Sequence, residues 1–397
     1  MPTIDPAAIE LIEQTDRLVE VLRRAGRIGG GEAWERHFAR IRAAREPWAT
    51  AVIMSDRGQV VGVHARSEAG PGSIAIDTDP PVWLDVWEFP NDPDLPSLSV
   101  AVAGLDDHDV IRYRPGNRCT MLASRDGLRR FVKVSADATA IDQITRIVHA
   151  TVQRHEIHVA VPEPLGLTAA GQAVHLRIVS GRPLFDRIVS AEGPDWSYRI
   201  GEILGRLAAV EPEDGGAVTQ GGASSFAIAR RDHHEQRART ERAIGRASAQ
   251  VPSLGPRLRF VLDQLDARQA DLRPKAVSLV HGSPHLHQWL IDGDAIGLVD
   301  FDRFGWGDLE LDIATYLAEL DFERSSVAPI RDHEQAIANG AAIGGTELDP
   351  RRLWLYRLHK RVAKVARTAA APRTDAAVRA SDQLVDIERS LGAGPPA

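Results

Sequence analysis

The stretch His281–Asp312, "HGSPHLHQWLIDGDAIGLVDFDRFGWGDLELD", decides how the rest of this chain is read. It opens with His281, His285 and His287 and runs into the carboxylates Asp300, Asp302, Asp308 and Asp312. Two chemistries compete for it. Three imidazoles are the usual protein share of an open zinc site. Against that, His285 and His287 stand two apart, and no helical spacing puts all three on one face. The plain alternative is loop histidines bonded to backbone or carboxylates. The second chemistry is phosphoryl transfer, which needs a lysine for the phosphates and hard oxygens for magnesium. A hairpin around Asp292-Gly293-Asp294 would put Gln288 on one side and Asp300 on the other, with Asp302 near the same ion. Lys133, inside "RRFVKVS", is the phosphate partner from elsewhere in the chain. Singly, such a lysine reads as a solvated strand side chain and "DFD" as an acidic turn.

Working outward, "AVSLV" before His281 reads as a strand, and the chain from Asp308 onward, including "LWLYRLHKRVAKVARTA", reads as helices. Toward the N-terminus, "DVIRYRPGNRCTMLASRDGLRRFVKVS" gives three strands turning at Pro115-Gly116 and Arg125-Asp126-Gly127. A short helix over 139–153, the extended "VAVPEPLGL" and the strand-like "AVHLRIVSGRPL" follow, and Gly181 looks like a hinge. "SYRIGEILGRLAAV" is apolar at helical spacing, and the glycine-rich "EPEDGGAVTQGGASS" reads as a mobile loop. Residues 226–245, rich in arginine, read as a solvated helix or cap element whose charge could attract an anion. The first segment is helical after Asp5-Pro6, with Leu11, Thr15, Leu18, Val19 and Leu22 on one face. A second helix is expected near Gly31, carrying Trp34, Phe38 and Ile41. "AVIMSD" and "QVVGVHA" then form strands around Asp56-Arg57-Gly58, and "VWLDVWEFPNDPDLPSL" is an aromatic strand with a proline-stiffened crossing. Its tryptophans read as packing rather than as a ligand platform.

At 397 residues the chain has room for two packed subdomains. A composition of 43% hydrophobic and 26% charged residues is that of an ordinary soluble protein. A net charge of -7 gives no general pull toward nucleic acid or an acidic membrane. One cysteine, Cys119, rules out an intramolecular disulfide. "MPTIDPAAIELIEQ" lacks the charged and apolar regions of a secretory signal, and no stretch is long and apolar enough for a bilayer. The expectation is a cytoplasmic protein with neither nucleic acid nor membrane as partner.

The order and spacing of these motifs resemble the aminoglycoside phosphotransferase family, within the protein-kinase-like superfamily. His281 and Gly282 match the opening of its loop signature, His285 the internal histidine, and Gln288 the position of a metal-binding asparagine. Asp300 matches the metal-binding aspartate, and "GWGDLELDIA" the segment after it, where Asp308 and Asp312 would brace the loop. Lys133 falls at the ATP-contacting lysine, and "ILGRLAAV" resembles the first long helix of the second lobe. "RIVSGRPL" resembles the interlobe hinge. The resemblance covers about residues 108–370. It implies an α+β bilobal fold with a small, mainly antiparallel β lobe (108–180), a larger helical lobe (181–397) and an N-terminal α/β extension (1–107). It implies ATP and Mg2+ as cofactors, with Lys133, Arg118 and Val179 at the nucleotide and Gln288, Asp300 and Asp302 at the metal.

Two departures stand out. The third residue of the loop motif, normally the catalytic aspartate, is Ser283, a poor proton acceptor near neutral pH. No clear glutamate for Lys133 follows in "SADATAIDQITRIVHATVQRHE", and "RPGNRC" is a weak phosphate cradle. Catalytic roles are therefore expected of Ser283, His285 and Asp302. The chain reads as an ATP-dependent phosphotransferase with an unusual catalytic loop, acting on a small hydroxylated metabolite. Its rival is a kinase-like protein without catalysis that binds nucleotide, metabolite or a protein partner. Oligomeric state is open.

Overall fold

The computed structural model describes residues 6–42, 48–79, 81–211, 228–273, 275–323, 326–371 and 375–395. Helices α1 (Pro6–Glu13) and α2 (Thr15–Arg24) bury Leu11, Ile12, Leu18, Val19 and Leu22. They lie on a five-stranded antiparallel sheet ordered β1-β2-β3-β5-β4. Its strands are β1 (Trp34–Arg42), β2 (Trp48–Ser55), β3 (Val60–Arg66), β4 (Ile74–Ile76) and β5 (Val82–Glu88). The helix expected near Gly31 is therefore strand β1. Apolar residues four apart fit one helical turn and also two strand repeats, and pairing with β2 along its length settles the choice for strand. A bulge between Arg36 and Phe38 further blurs the two-residue alternation.

The crossing after β5 contains a short helix, α3 (Ser97–Ala103), and leads into a second sheet ordered β6-β7-β8-β10-β9. These strands are β6 (Asp107–Arg114), β7 (Arg118–Arg125), β8 (Leu128–Ser135), β9 (Pro164–Thr168) and β10 (Ala173–Leu176). Helix α4 (Ala138–Arg154) packs against β8, β9 and β10. The two sheets share one core, in which Val52, Val60, Leu95 and Leu98 pack with Tyr113, Met121 and Val132. A polar thread crosses it. The Trp87 indole N–H donates to the Tyr113 hydroxyl at 2.8 Å, and that hydroxyl donates to Asp92 at 2.7 Å. The same Asp92 oxygen accepts the Gly116 N–H at 2.8 Å, so the crossing holds the turn between β6 and β7. Gly116 has φ +63, and an added Cβ would lie 2.8 Å from that of Asp94.

The remainder is mainly helical. After β11 (Arg182–Pro183) come α5 (Phe185–Ile188), α6 (Gly193–Ala208), β12 (Arg230–Arg231), α7 (His233–Gln250) and α8 (Leu254–Ala270). Strands β13 (Ser278–Val280), β14 (Trp289–Asp292), β15 (Ala295–Leu298) and β16 (Gly305–Gly307) carry the loop region, in sheets ordered β11-β14-β15 and β12-β16-β13. The chain ends in α9 (Leu309–Leu320), α10 (Ile330–Ile343), α11 (Pro350–Ala369) and α12 (Ala376–Ala393). One core surrounds α9, and a second joins α7, α8, α11 and α12. The expected glycine-rich loop lies almost wholly in 212–227, outside the described residues. Helix α7 is more than a solvated face, since it buries Gln236, Thr240, Ala243, Ile244 and Ala247 against its neighbours. Among the described residues no helix is long and apolar enough to cross a membrane.

Candidate active site

The loop after β13 is held by α9. Asp312 accepts the backbone N–H groups of His281 at 2.6 Å and Gly282 at 2.8 Å. Gly282 has φ +85, and a Cβ there would lie 2.1 Å from the Arg303 carbonyl oxygen, so only glycine fits. His281 donates from Nε2 to the Val299 carbonyl at 3.1 Å, leaving Nδ1 to accept the Ser283 N–H at 3.4 Å. Burial pushes its imidazole down to about 4, so the ring is neutral and structural at neutral pH. Asp308, expected to brace the same loop, instead accepts bonds from Arg352 and Tyr356 and ties α9 to α11.

Beyond the turn, the side chains form a chain of hydrogen bonds. Ser283 Oγ lies 2.9 Å from His285 Nε2, and His285 Nδ1 lies 2.7 Å from Glu319 Oε1. The other Glu319 oxygen accepts the Leu286 N–H at 2.9 Å. Burial would raise the Glu319 carboxyl, but the His285 contact and the Leu286 N–H outweigh it and hold it down to about 2. An ionised Glu319 fixes the proton of His285 on Nδ1 and leaves Nε2 to accept from the Ser283 hydroxyl. Glu319 was missed in the sequence. Its signal was spacing, because Glu319 follows Asp312 by two helical turns and so shares the face of α9 turned to the loop.

The second cluster joins the two lobes. Lys133, on β8, donates to Asp300 Oδ1 and Asp302 Oδ1, each at 2.7 Å. Burial alone would lower the Lys133 ammonium, but Asp302 and Asp300 outweigh it and hold the pKa above its ordinary value. Burial works against ionisation of Asp300 too, and Lys133 overcomes it, so Asp300 stays charged with a depressed pKa. Asp300 has φ +70, a left-handed conformation uncommon outside glycine and tolerated by aspartate, which turns its carboxylate toward Lys133. Arg118 Nη1 donates to Asp302 Oδ2 at 2.8 Å. No acidic residue of α4 completes the lysine's pairing; the buried Asp142 is bonded to Arg146 at 2.8 and 3.1 Å.

Gln288 links the two clusters. Its Oε1 accepts the His285 N–H at 2.7 Å and its Nε2 donates to Asp300 Oδ2 at 3.1 Å. To act as a metal ligand it would exchange that donor contact for its oxygen. The remaining histidine, His287, stacks on Phe185 with ring centroids 4.5 Å apart. Ring nitrogens of His281 and His285 are thus directed at protein partners, and among the described residues no group of three or more His, Cys, Asp or Glu is arranged around a common metal position. Val179 stands apart from these clusters, buried beside Gly297 of β15.

Ser283, His285, Gln288, Asp300 and Asp302 all line one cavity of about 880 Å³, together with Arg118 and Glu319. Ten of its lining residues are arginine or lysine and three are carboxylates, so the cavity is basic in a chain of net charge -7. A small antiparallel lobe, a helical lobe and a lysine–aspartate cluster between them define a bilobal, protein-kinase-like phosphotransferase fold. The sequence profile of the phosphotransferase enzyme family matches residues 121–354, and the chain belongs to that family.

Among solved structures, the chain is similar to a microcompartment-associated aminopropanol kinase at 17% identity, over 74% of this chain and 96% of that one, with TM-score 0.54. It is similar to amicoumacin kinase hAmiN in complex with AMP-PNP, Ca2+ and Ami at 14% identity, over 73% and 92%, with TM-score 0.52. Choline kinase from Cryptosporidium parvum Iowa II matches at 10% identity, over 73% and 90%, with TM-score 0.51. At these identities the likeness is one of fold. No curated protein matches the chain.

Proposed function

We propose that this protein transfers the terminal phosphoryl group of ATP to a hydroxyl of a small metabolite. One observation carries the reading: the Lys133–Asp300–Asp302 cluster adjoins the Ser283–His285–Glu319 chain, with Gln288 bonded to both. In this reading residues 108–180 and 181–397 are the two lobes and 1–107 an extension braced against the first. Nucleotide use is supported by the AMP-PNP held by one similar structure, and a small acceptor by the aminopropanol and choline kinases. Such work belongs to the cytoplasm, where ATP is supplied.

Lys133 and Arg118 would engage phosphate oxygens. The carboxylates of Asp300 and Asp302 already share one cation, the Lys133 ammonium, so their hard oxygens suit Mg2+ as well. Bound Mg2+ would neutralise charge on the phosphates. Asp300 and Asp302 would hold it, with Gln288 orienting Asp300. The acceptor oxygen forms its bond to phosphorus as the bond to the departing ADP oxygen breaks. The acceptor's proton goes to Ser283 Oγ while the serine's own proton goes to His285 Nε2, and Glu319 stabilises the resulting imidazolium. Serine alone is a poor base; serine backed by His285 and Glu319 is a relay to a competent one.

The test is calorimetric titration of Mg-ATP into the wild type and Asp300→Ala, paired with a phosphate-transfer screen over hydroxyl compounds. Binding and transfer are expected in the wild type, and Asp300→Ala should lower turnover by about 100-fold or more. Binding without transfer to any acceptor would favour the noncatalytic rival. Absence of Mg-ATP binding would remove both.

A further inference from the structure

Helices α7 and α11 make one wall of the cavity, and each turns a single basic stripe toward it. On α7 the stripe is Arg239, Arg242 and Arg246; on α11 it is Lys360, Lys364 and Arg367. These spacings of three, four and seven keep each set on one helical face. An exposed helix normally answers such a face with carboxylates a turn away. Here Asp312 faces Lys360, and Glu319, Glu323 and Asp321 face Lys364, but Asp312 is bonded to the His281 and Gly282 N–H groups and Asp321 to Arg357. Glu235 is bonded to Arg303 at 2.8 Å and reaches Arg239 only at 4.0 Å. Glu319 is committed to His285 and the Leu286 N–H. Among the described residues, Arg242, Arg246 and Arg367 have neither a hydrogen-bond partner nor an ion-pair partner.

Burial, and after it the crowding of like charge, disfavours the charged forms of this wall. Burial, and then the neighbouring Arg40, Arg242 and Arg367, lower the pKa of Arg246; burial, and then Arg303, pushes Arg239 down to about 10. Cations that outnumber the carboxylates of their cavity ten to three are held at a loss unless a ligand supplies further negative charge. Lys364 and Arg367 interact electrostatically with Glu319, which places this wall beside the proton relay. In the proposed function the nucleotide phosphates take Lys133 and Arg118 as their partners, which leaves this wall free.

We infer that the α7–α11 wall is the acceptor subsite and that the acceptor is a small hydroxylated anion, its phosphate or carboxylate group bound by Arg246 and Arg367. This rests on the phosphotransferase reading above. Guanidinium groups pair with either kind of anion in a two-point fashion. Choline and aminopropanol, named for two similar kinases, are cations at neutral pH and would be repelled by this wall.

Two measurements test it. The first is transfer from ATP to glycerol 3-phosphate and gluconate, compared with glycerol, choline and aminopropanol. An anionic acceptor should be favoured. In the Arg246→Gln/Arg367→Gln variant its KM should rise about 10- to 100-fold, with the KM for ATP little changed. Glycerol 3-phosphate and gluconate distinguish a phosphate from a carboxylate handle. The second is titration of inorganic phosphate into protein saturated with Mg-ADP, in the wild type, the double variant and the exposed single variant Arg242→Gln. Phosphate should bind the wild type and weaken about tenfold in the double variant, with circular dichroism unchanged. Preference for the cationic acceptors, phosphate binding that both variants leave intact, or phosphate binding abolished by saturating Mg-ADP would each overturn the inference. Failure of the phosphotransferase reading would look different: no Mg-ATP binding and no transfer to any acceptor, whatever the phosphate titration gives.

Discussion

A serine where a carboxylate would take the acceptor's proton changes what its neighbours must do. In the proposed mechanism Ser283 passes a proton on only because His285 stands 2.9 Å behind it and Glu319 a further 2.7 Å behind that. His285→Asn should therefore reduce kcat by about 100-fold or more while leaving Mg-ATP affinity intact. Adding Ser283→Asp to that variant should restore much of the loss, because a carboxylate at this position needs no relay. Steady-state kinetics of the wild type and the single and double variants check this, and a double variant as slow as His285→Asn would remove the relay from the mechanism. The sequence made most of this site legible. Lys133, Ser283, His285, Gln288, Asp300 and Asp302 carry a linear order that survives without any knowledge of contacts. Glu319 did not stand out, since its partner lies 34 residues away and an acidic residue near a helix end is ordinary on its own.

At the scale of elements, the turn between β6 and β7 depends on a segment that comes before the second sheet. Asp92 accepts from the Tyr113 hydroxyl and the Gly116 N–H and is itself buried. Asp92→Ala leaves both donors without their acceptor and should cost about 2 kcal/mol of stability. Because Arg114, Asn117 and Arg118 flank this turn and line the cavity, the KM for ATP should also rise several-fold. Urea unfolding and nucleotide kinetics together check this; lost stability with unchanged nucleotide kinetics would mean that the brace serves the fold alone. Local pattern served the three-strand unit 107–135 well, where two tight turns separate runs of clear strand character. It failed at β1, where a four-residue spacing fits both periods, and at α3, a short helix inside a proline-rich crossing. It also undersold α7, whose arginines look like a solvated face until α11 is packed beside them.

Across the whole molecule, stability is tied to buried histidines. His359 on α11 lies 3.0 Å from the Thr240 hydroxyl of α7, and burial, ahead of Lys360 and Arg237, pushes its imidazole down to about 3 from the ordinary 6.5. It remains neutral in the fold while the unfolded chain takes up a proton below its ordinary pKa. Its contribution is therefore complete above pH 6.5 and is lost as pH falls toward 3, by about 1.4 kcal/mol per pH unit. Between about pH 6.5 and 4, Tm should fall more steeply in the wild type than in His359→Gln; parallel slopes would sink the assignment. The core common to the two sheets was not legible in the sequence, because each sheet's alternation is satisfied by an inner face whichever partner covers it. That core and the Asp92 brace carry a thermodynamic obligation. Any molecule that grips the segment around Asp92 differently when the neighbouring turn holds phosphate must alter nucleotide affinity, and nucleotide must alter its affinity by the same factor. In the proposed reading, a partner held by the segment around Asp92 and a nucleotide in the cleft would then be the two sides of one coupling.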